Sequence, residues 1–183
     1  MSGRPVDPVT IPARVTVERL AEAVGREMSE IQAVLNARGE PSAPNDIVDH
    51  ALAADVARAL GAEVRVETRD LALEYLYESE TRGEMSEPPE GRVSALVVGI
   101  SGQIDELDRK IEAASEHWSV ARMPTVDRNI LRLGLYELEH HPQTSTAVIL
   151  SEAVRLAQTY STEKSGAFVN GVLAALAKEV ADR

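Results

Sequence analysis

The chain has 183 residues, 44% of them hydrophobic and 27% charged, which is enough apolar content for a medium core and a second, smaller one. Its formal net charge of −11 argues against a general polyanion binder, because nucleic-acid affinity depends on Lys and Arg neutralising phosphates. The absence of cysteine excludes disulfides, thiolate metal sites and cysteine nucleophiles, and favours the reducing cytoplasm. No apolar run reaches the roughly 18 residues that a membrane span needs.

The first part of the chain is entirely aliphatic, since no aromatic residue precedes Tyr75. Its prolines predict an extended leader over residues 1–12. Apolar residues at helical spacing then predict three short helices, of which the third carries Ile47 on its inner face. The expected caps are Thr16, Ser29 and either Asp46 or Asp49, and the expected stops are Gly25, Gly39 and Gly61. Residues 62–66 alternate and fit either a short strand or a linker.

Residues 13–66 resemble the small N-terminal module of bacterial translation initiation factor two. The matching stretches are VTVERLAEAVG at 15–25, SEI at 29–31 and RGE at 38–40. The resemblance implies contact with the ribosome or with nucleic acid, although residues 1–66 are themselves acidic. A generic three-helix appendage is the alternative.

From Thr68 onward the pattern predicts six helices and no strand, which together form an all-α bundle preceded by the small, mostly helical module. Thr68 and Thr125 are expected to cap helices, and Thr146 and Ser165 are expected to start them. Residues 93–100 are apolar all round, which predicts a buried central helix. Trp118 continues the apolar spacing of the next helix and is expected in the core, with stacking on RNA as the alternative.

Four stretches of this second part stand out, namely RDLALEYLYE at 69–78, WSVARMPTVDRNILRLGLYEL at 118–138, AVILSEAVRLA at 147–157 and SGAFVNGVL at 165–173. Together they resemble the NusB family of transcription antitermination factors, in family order over residues 65–181. The resemblance implies an NusB-like helical bundle over residues 67–183. It also implies no catalytic activity and no cofactor.

The resemblance further implies specific partners and sites. NusB-like proteins pair with the ribosomal protein NusE, bind boxA RNA and join the antitermination complex on RNA polymerase; some form homodimers. The positions that match the family's RNA-contacting places are Arg65, Arg69, Tyr160 and Lys164. Those that match its partner-facing places are Tyr77 and Asp127. The family's arginine-rich first helix is reduced here to two arginines separated by Glu67, which predicts weaker RNA binding.

Several residues of the motifs have a structural interpretation. Gly134 permits close approach of two helices, and Arg132 and Glu137 are expected to form ion pairs inside the bundle. Gly171 is unusual in a helix and predicts tight packing around it, with the amide of Asn170 buried beside a neighbouring loop.

Two other functions remain open at this point. NusB-like domains also precede RNA cytosine methyltransferases, but that chemistry needs a cysteine nucleophile and a catalytic domain, and this chain has neither. A protein adaptor that binds NusE and has lost boxA recognition fits the reduced arginine run. Binding of boxA RNA, measured with and without NusE, separates antitermination from the adaptor function: binding with NusE supports the first, and no binding in either case supports the second.

Overall fold

The computed structural model describes residues 9–12, 14–62, 64–83, 87–88, 90–115 and 118–182, with residues 64–66 through their backbone. It divides into two compact units, Met1–Leu71 and Ala72–Arg183. The boundary falls within the first turn of a helix, a few residues beyond the expected division at residue 66. No helix in the described part is long and apolar enough to cross a membrane.

The first unit combines three short helices with two pairs of three-residue strands. Strand β1 pairs in parallel with β4, and β2 pairs antiparallel with β3. The elements in chain order are β1 Val9–Ile11, β2 Arg14–Thr16, α1 Val17–Val24, α2 Met28–Ala37, β3 Ile47–Asp49, α3 His50–Ala59 and β4 Val64–Val66. The strand alternative for residues 62–66 is therefore the correct one, and residues 9–11 of the predicted leader form its partner.

Local caps define the helices of the first unit. The hydroxyl of Thr16 accepts a hydrogen bond from the Arg19 amide, and α1 ends at Gly25 with a φ of 66°. The carboxylate of Asp49 accepts from the Leu52 amide at 2.8 Å at the start of α3. Both predictions are confirmed.

Two local expectations for this unit are wrong. Helix α2 begins after Glu27, which forms a capping box with Glu30, and not after Ser29. Ile47 lies in β3 and is 57% exposed, because the third helix starts only after Asp49. The aliphatic core of the unit consists of Ile11, Val15, Val17, Leu20, Ala21, Ile31, Leu35, Val48, Ala53 and Val56.

The second unit is a helical bundle, as predicted. Its elements are α4 Thr68–Arg82, which starts in the first unit, α5 Arg92–Ser101, α6 Ile104–Ala114, a 3-10 helix Val120–Arg122, α7 Thr125–His140, α8 Thr146–Tyr160 and α9 Ser165–Ala181. Helix α7 is central and packs against α5, α6, α8 and α9. Nine of its residues, including the run from Asn129 to Leu135, are buried.

Close packing around α7 depends on a glycine. A β-carbon added at Gly134 would lie 2.7 Å from Cδ1 of Leu173 on α9, so this position accepts no side chain without displacing Leu173. The prediction for Gly134 is confirmed. Gly171 is exposed, with no atom within 4 Å of its added β-carbon, and Asn170 is exposed as well. The expectation of tight packing and a buried amide there is wrong, and nothing in the structure explains Gly171.

The exposure of two further residues differs from expectation. Val98 on α5 is 56% exposed, because this helix buries only one face through Leu96, Val97 and Ile100. Trp118 is 53% exposed, because α6 ends at Ala114 before the apolar spacing reaches it.

Candidate nucleic-acid interface

The six predicted site residues are divided between the two units. Arg65 lies in β4, where its backbone pairs with Thr10, and its side chain is outside the described residues. Arg69 is half-buried in the first turn of α4. Both belong to the first unit, whereas Tyr77, Asp127, Tyr160 and Lys164 belong to the second.

Asp127 ties the start of α7 to the start of α9. It is only 3% exposed, and its Oδ2 accepts a hydrogen bond of 2.8 Å from the hydroxyl of Ser165. The Ser165 hydroxyl also lies 2.8 Å from that of Thr162 and 3.0 Å from that of Ser161. Asp127 therefore acts on this surface by positioning the α8–α9 loop, residues 161–164, and its carboxylate is not itself presented to solvent.

The α8–α9 loop presents one cation to solvent. Tyr160 is the last residue of α8, and its half-buried ring packs against the core of the bundle. Lys164 is exposed at the residue before α9. Asp127, Tyr160 and Lys164 thus lie around the same end of the bundle, where α7 and α9 begin and α8 ends.

Tyr77 lies on α4 and is 39% exposed. Its helix is fixed to α7 one turn later through Glu80, whose Oε1 lies 2.6 Å from Arg128 and whose Oε2 accepts a hydrogen bond of 2.9 Å from Asn129. Tyr77 lies one turn before Glu80 on the same helix, and residues three apart are neighbours on a helix surface.

A buried arginine organises the same region. Arg132 on α7 is 5% exposed and donates two hydrogen bonds of 2.7 Å to the carboxylate of Asp108 on α6 and one of 3.1 Å to Glu80. Burial acts to lower the pKa of Arg132, but its bonds to Asp108 and Glu80 outweigh burial and raise it. The predicted ion pair is confirmed, as is that of Glu137 with Arg92 at 3.7 Å.

The carboxyl group of Glu80 responds in the opposite sense. Burial acts to raise its pKa, but the hydrogen bond from Arg128, the charge of Arg132 and the bond from Asn129 together lower it. Glu80 is therefore held in the charged form, and the bonds of Glu80 and Arg132 join α4, α6 and α7.

Trp118 is the surface aromatic that the sequence pattern assigned to the core. Its ring lies 6.0 Å from that of Phe168 on α9, with the two planes inclined at 48°. Phe168 itself is half-buried and packs against the bundle core. The spacing of seven residues between Ile111 and Trp118 fits a helix, so periodicity alone predicts a buried Trp118. The contrary signal in the sequence is Ser119, a residue type that often caps helices, directly after the tryptophan.

The electrostatics of this end of the bundle are mixed. Arg122, on the 3-10 helix, and Lys164 are exposed, and neither forms an ion pair with a described residue. Glu163 is an exposed acid beside Lys164, and Ala167 contributes no charge. Within the residues that the structure describes, no group of three or more His, Asp or Glu side chains is placed to hold a metal ion. This end of the bundle offers one exposed ring, Trp118, two half-buried rings and two isolated cations, which are groups suited to contact a nucleic acid.

Comparison with protein families gives a match to the NusB family model over residues 49–178. This match spans well over half of the chain and includes α7, α8 and nearly all of α9. The chain belongs to the NusB family. The match begins at Asp49, in the first unit, so residues before it are additional to the family domain.

Known NusB proteins agree with the bundle in sequence and structure. The transcription antitermination protein NusB of Sorangium cellulosum is 43% identical over 126 residues, which cover 61% of this chain and 90% of that protein. The solved NusB of T. maritima superposes with a TM-score of 0.56 at 32% identity, over 61% of this chain and 89% of that one. NusB in a crystal structure of NusB and NusE with double-stranded RNA gives a TM-score of 0.54 at 31% identity, over 61% and 94%.

Proposed function

We propose that this NusB-family chain is a transcription antitermination factor. It pairs with ribosomal protein NusE, binds boxA-type RNA, and joins the antitermination complex on RNA polymerase, especially on ribosomal RNA operons, in the cytoplasm. The main support is the similarity of its bundle to the NusB that was crystallised with NusE and double-stranded RNA. The match covers 94% of the length of that NusB.

The proposed RNA contacts are Arg65, Arg69, Tyr160 and Lys164. Lys164 has the firmest support, because it is exposed and free of ion pairs with described residues. Each such cation that neutralises a phosphate contributes about 0.7 to 0.9 to the slope of log affinity against log salt.

The proposed partner contacts are Tyr77 and Asp127. Tyr77 offers a partly exposed amphipathic ring of a kind common at protein interfaces. Asp127 contributes through the α8–α9 loop, which its bond to Ser165 holds in place.

We propose no enzymatic activity. The chain lacks the cysteine nucleophile of the RNA cytosine methyltransferases. The carboxylate of Glu80 has a lowered pKa because it bonds to Arg128 and Asn129 on α7, which is a structural role and not a catalytic one.

The test is the binding of fluorescein-labelled boxA RNA to the full chain at low salt, measured by anisotropy with and without NusE. We expect binding that is strongest with NusE, and weaker binding of a scrambled RNA of equal length. Absence of RNA binding in both conditions would overturn the proposal.

A pair of lysine variants locates the RNA surface. Lys164→Glu is expected to weaken boxA binding several-fold. It should also reduce the slope of log affinity against log salt by the amount of one phosphate contact, about 0.7 to 0.9. Lys178→Glu is the matched control, because Lys178 is an exposed lysine in the last turn of α9, the helix that Lys164 precedes. Equal losses in both variants would indicate a general charge effect in place of a local contact.

The adaptor function is the second candidate, and the charge of the chain favours it. The net charge of −11 and the interruption of the two arginines by Glu67 both weaken attraction to phosphate. A chain that binds NusE with normal affinity and fails to recruit boxA RNA to the complex is the outcome that identifies an adaptor.

The role of residues 13–66 is a further part of the proposal. We propose a docking module similar to the N-terminal module of translation initiation factor two. Cross-linking of the full chain to ribosomes and to RNA polymerase, followed by mass spectrometry, tests it; cross-links confined to residues 72–183 would contradict it.

A further inference from the structure

Trp118 is exposed and yet firmly anchored. The hydroxyl of Ser115, itself buried, donates a hydrogen bond of 2.7 Å to the Trp118 carbonyl oxygen. Two residues later, the amide of Val120 donates at 2.9 Å to a carboxylate oxygen of Glu112 on α6. The backbone that follows the indole is therefore attached to α6 and to the residue that caps it.

The indole ring is also supported from one side. Phe168 lies 6.0 Å away and is itself packed into the bundle core, which leaves the rest of the indole facing solvent at 53% exposure. A large aromatic ring with a fixed backbone and a fixed neighbour loses little further freedom on binding.

The surroundings favour a nucleotide over an apolar protein surface. The other large exposed hydrophobic residues described in this unit lie on different elements, Tyr77 on α4, Val98 on α5 and Val148 on α8. Trp118 is thus the one large exposed hydrophobic residue described on its own segment, whereas protein-docking sites are usually continuous apolar patches.

Unpaired cations accompany the two rings. Arg122 lies four residues after Trp118, and Lys164 lies four residues before Phe168; both are exposed and neither forms an ion pair with a described residue. An exposed ring with isolated cations close to it in the chain is a combination with which proteins bind single-stranded nucleic acid, because the ring can stack on a base and the cations can meet phosphates.

We infer that Trp118, supported by Phe168, is a stacking platform for one unpaired base of single-stranded RNA, and that Arg122 and Lys164 meet the flanking phosphates. This inference rests on the proposed function and adds a base-contacting residue to it. Stacking of this kind is tolerant of base identity, so Trp118 contributes affinity more than sequence preference.

The chain contains one tryptophan, so its intrinsic fluorescence reports on this residue alone. Single-stranded boxA RNA is titrated into the full chain in the presence of saturating NusE, with a NusE–RNA mixture as the blank. We expect the RNA to quench the indole emission and to protect it from acrylamide, with a midpoint equal to that from anisotropy of the labelled RNA.

Variants at the same position separate stacking from a structural role. Trp118→Ala is expected to weaken RNA binding by about 5- to 100-fold, whereas Trp118→Phe keeps a ring and recovers most of the affinity. Val98→Ala is the matched control, because it truncates another exposed hydrophobic side chain and should leave RNA binding unchanged. Thermal melting checks that each variant is folded.

The outcomes distinguish this inference from the function on which it rests. If labelled RNA binds while the indole emission stays constant and Trp118→Ala binds equally well, the platform is refuted and the proposed function stands. If Trp118→Ala weakens NusE binding but not RNA binding, the ring is a protein contact and the platform is refuted. If the unmodified chain binds no RNA even with NusE, the platform and the proposed function are both refuted.

Discussion

The first unit fills its core with aliphatic side chains, whereas the second places a row of buried polar side chains along its central helix. The buried polar residues of α7 are Asp127, Asn129, Arg132 and Glu137. In the first unit the helix caps at Thr16 and Asp49 are local, and a longer-range bond from Arg26 to the Leu60 carbonyl oxygen is exposed. In the second unit the buried Arg132 joins Asp108 and Glu80, which lie far from it in the chain.

This difference has a physical consequence for how each unit tolerates change. A lost cap leaves one amide to be solvated by water and costs about 1 kcal/mol. A lost member of a buried charged network leaves its partners unpaired in a medium of low polarity, which costs several times more. Substitutions on α7 should therefore lower the free energy of unfolding more than comparable substitutions in the first unit.

The largest effect is expected from Arg132→Ala. The variant leaves Asp108 and Glu80 without their shared cation, so we expect the free energy of unfolding to fall by about 3–5 kcal/mol. Urea unfolding of the full chain measures it. Arg122→Ala is the control, because that exposed arginine forms no ion pair with a described residue, and it should change stability by less than about 0.5 kcal/mol. Equal effects would mean that the network is not a stabilising feature.

The next effect concerns packing on α7. Gly134→Val forces a branched side chain against Leu173, and we expect a loss of about 2–3 kcal/mol in the free energy of unfolding. Gly171→Ala on α9 is the matched control, since open space surrounds that position and alanine favours a helix by up to about 1 kcal/mol. Destabilisation by the alanine would show that Gly171 has a packing role that its surroundings do not reveal.

A smaller effect tests the caps of the first unit. Asp49→Ala removes the acceptor for the Leu52 amide and should cost about 1 kcal/mol. Hydrogen exchange with mass spectrometry should localise the change to residues 14–62. Ser145→Ala, which removes the cap of α8, is the counterpart and should affect the second unit. A response of both units to both variants would show that the effect of a lost cap is not confined to its own unit.

The smallest effect is a pH dependence. Because folding lowers the pKa of Glu80 below its ordinary value of 4.5, its charged form stabilises the folded chain. This contribution is complete above the unfolded-state pKa and is lost as the pH falls through the lower, folded-state pKa. Glu80→Gln should cost on the order of 0.5–1 kcal/mol at pH 7, because the side chain remains 27% exposed.

The measurement is thermal melting of both proteins across pH 3 to 7. The difference between the unmodified chain and Glu80→Gln should shrink toward the acid end of this range. A difference that stays constant with pH would show that the variant acts through packing and not through charge.

Helix positions and family membership followed from local features of the sequence. Thr16 and Gly25 bound α1 as expected, because capping bonds and a left-handed glycine involve residues at most a few positions apart. The starts of α8 and α9 at Thr146 and Ser165 were predicted for the same reason. Ile47 was misplaced because an apolar residue just before a cap fits a helix and a short strand equally well.

Exposure and long-range partners were decided by the tertiary structure. Trp118 has helical spacing, but it is exposed because α6 ends before it and only Phe168 meets its ring. Asp127 reads as a surface acid in the first turn of a helix, yet the start of α9 covers it. The sequence by itself determined the helices, their order and the family, since these depend on neighbouring residues. Packing between helices decides which side chains face solvent, and no local pattern encodes it. It also decides the partners of Arg132, which lie 24 and 52 positions away in the chain.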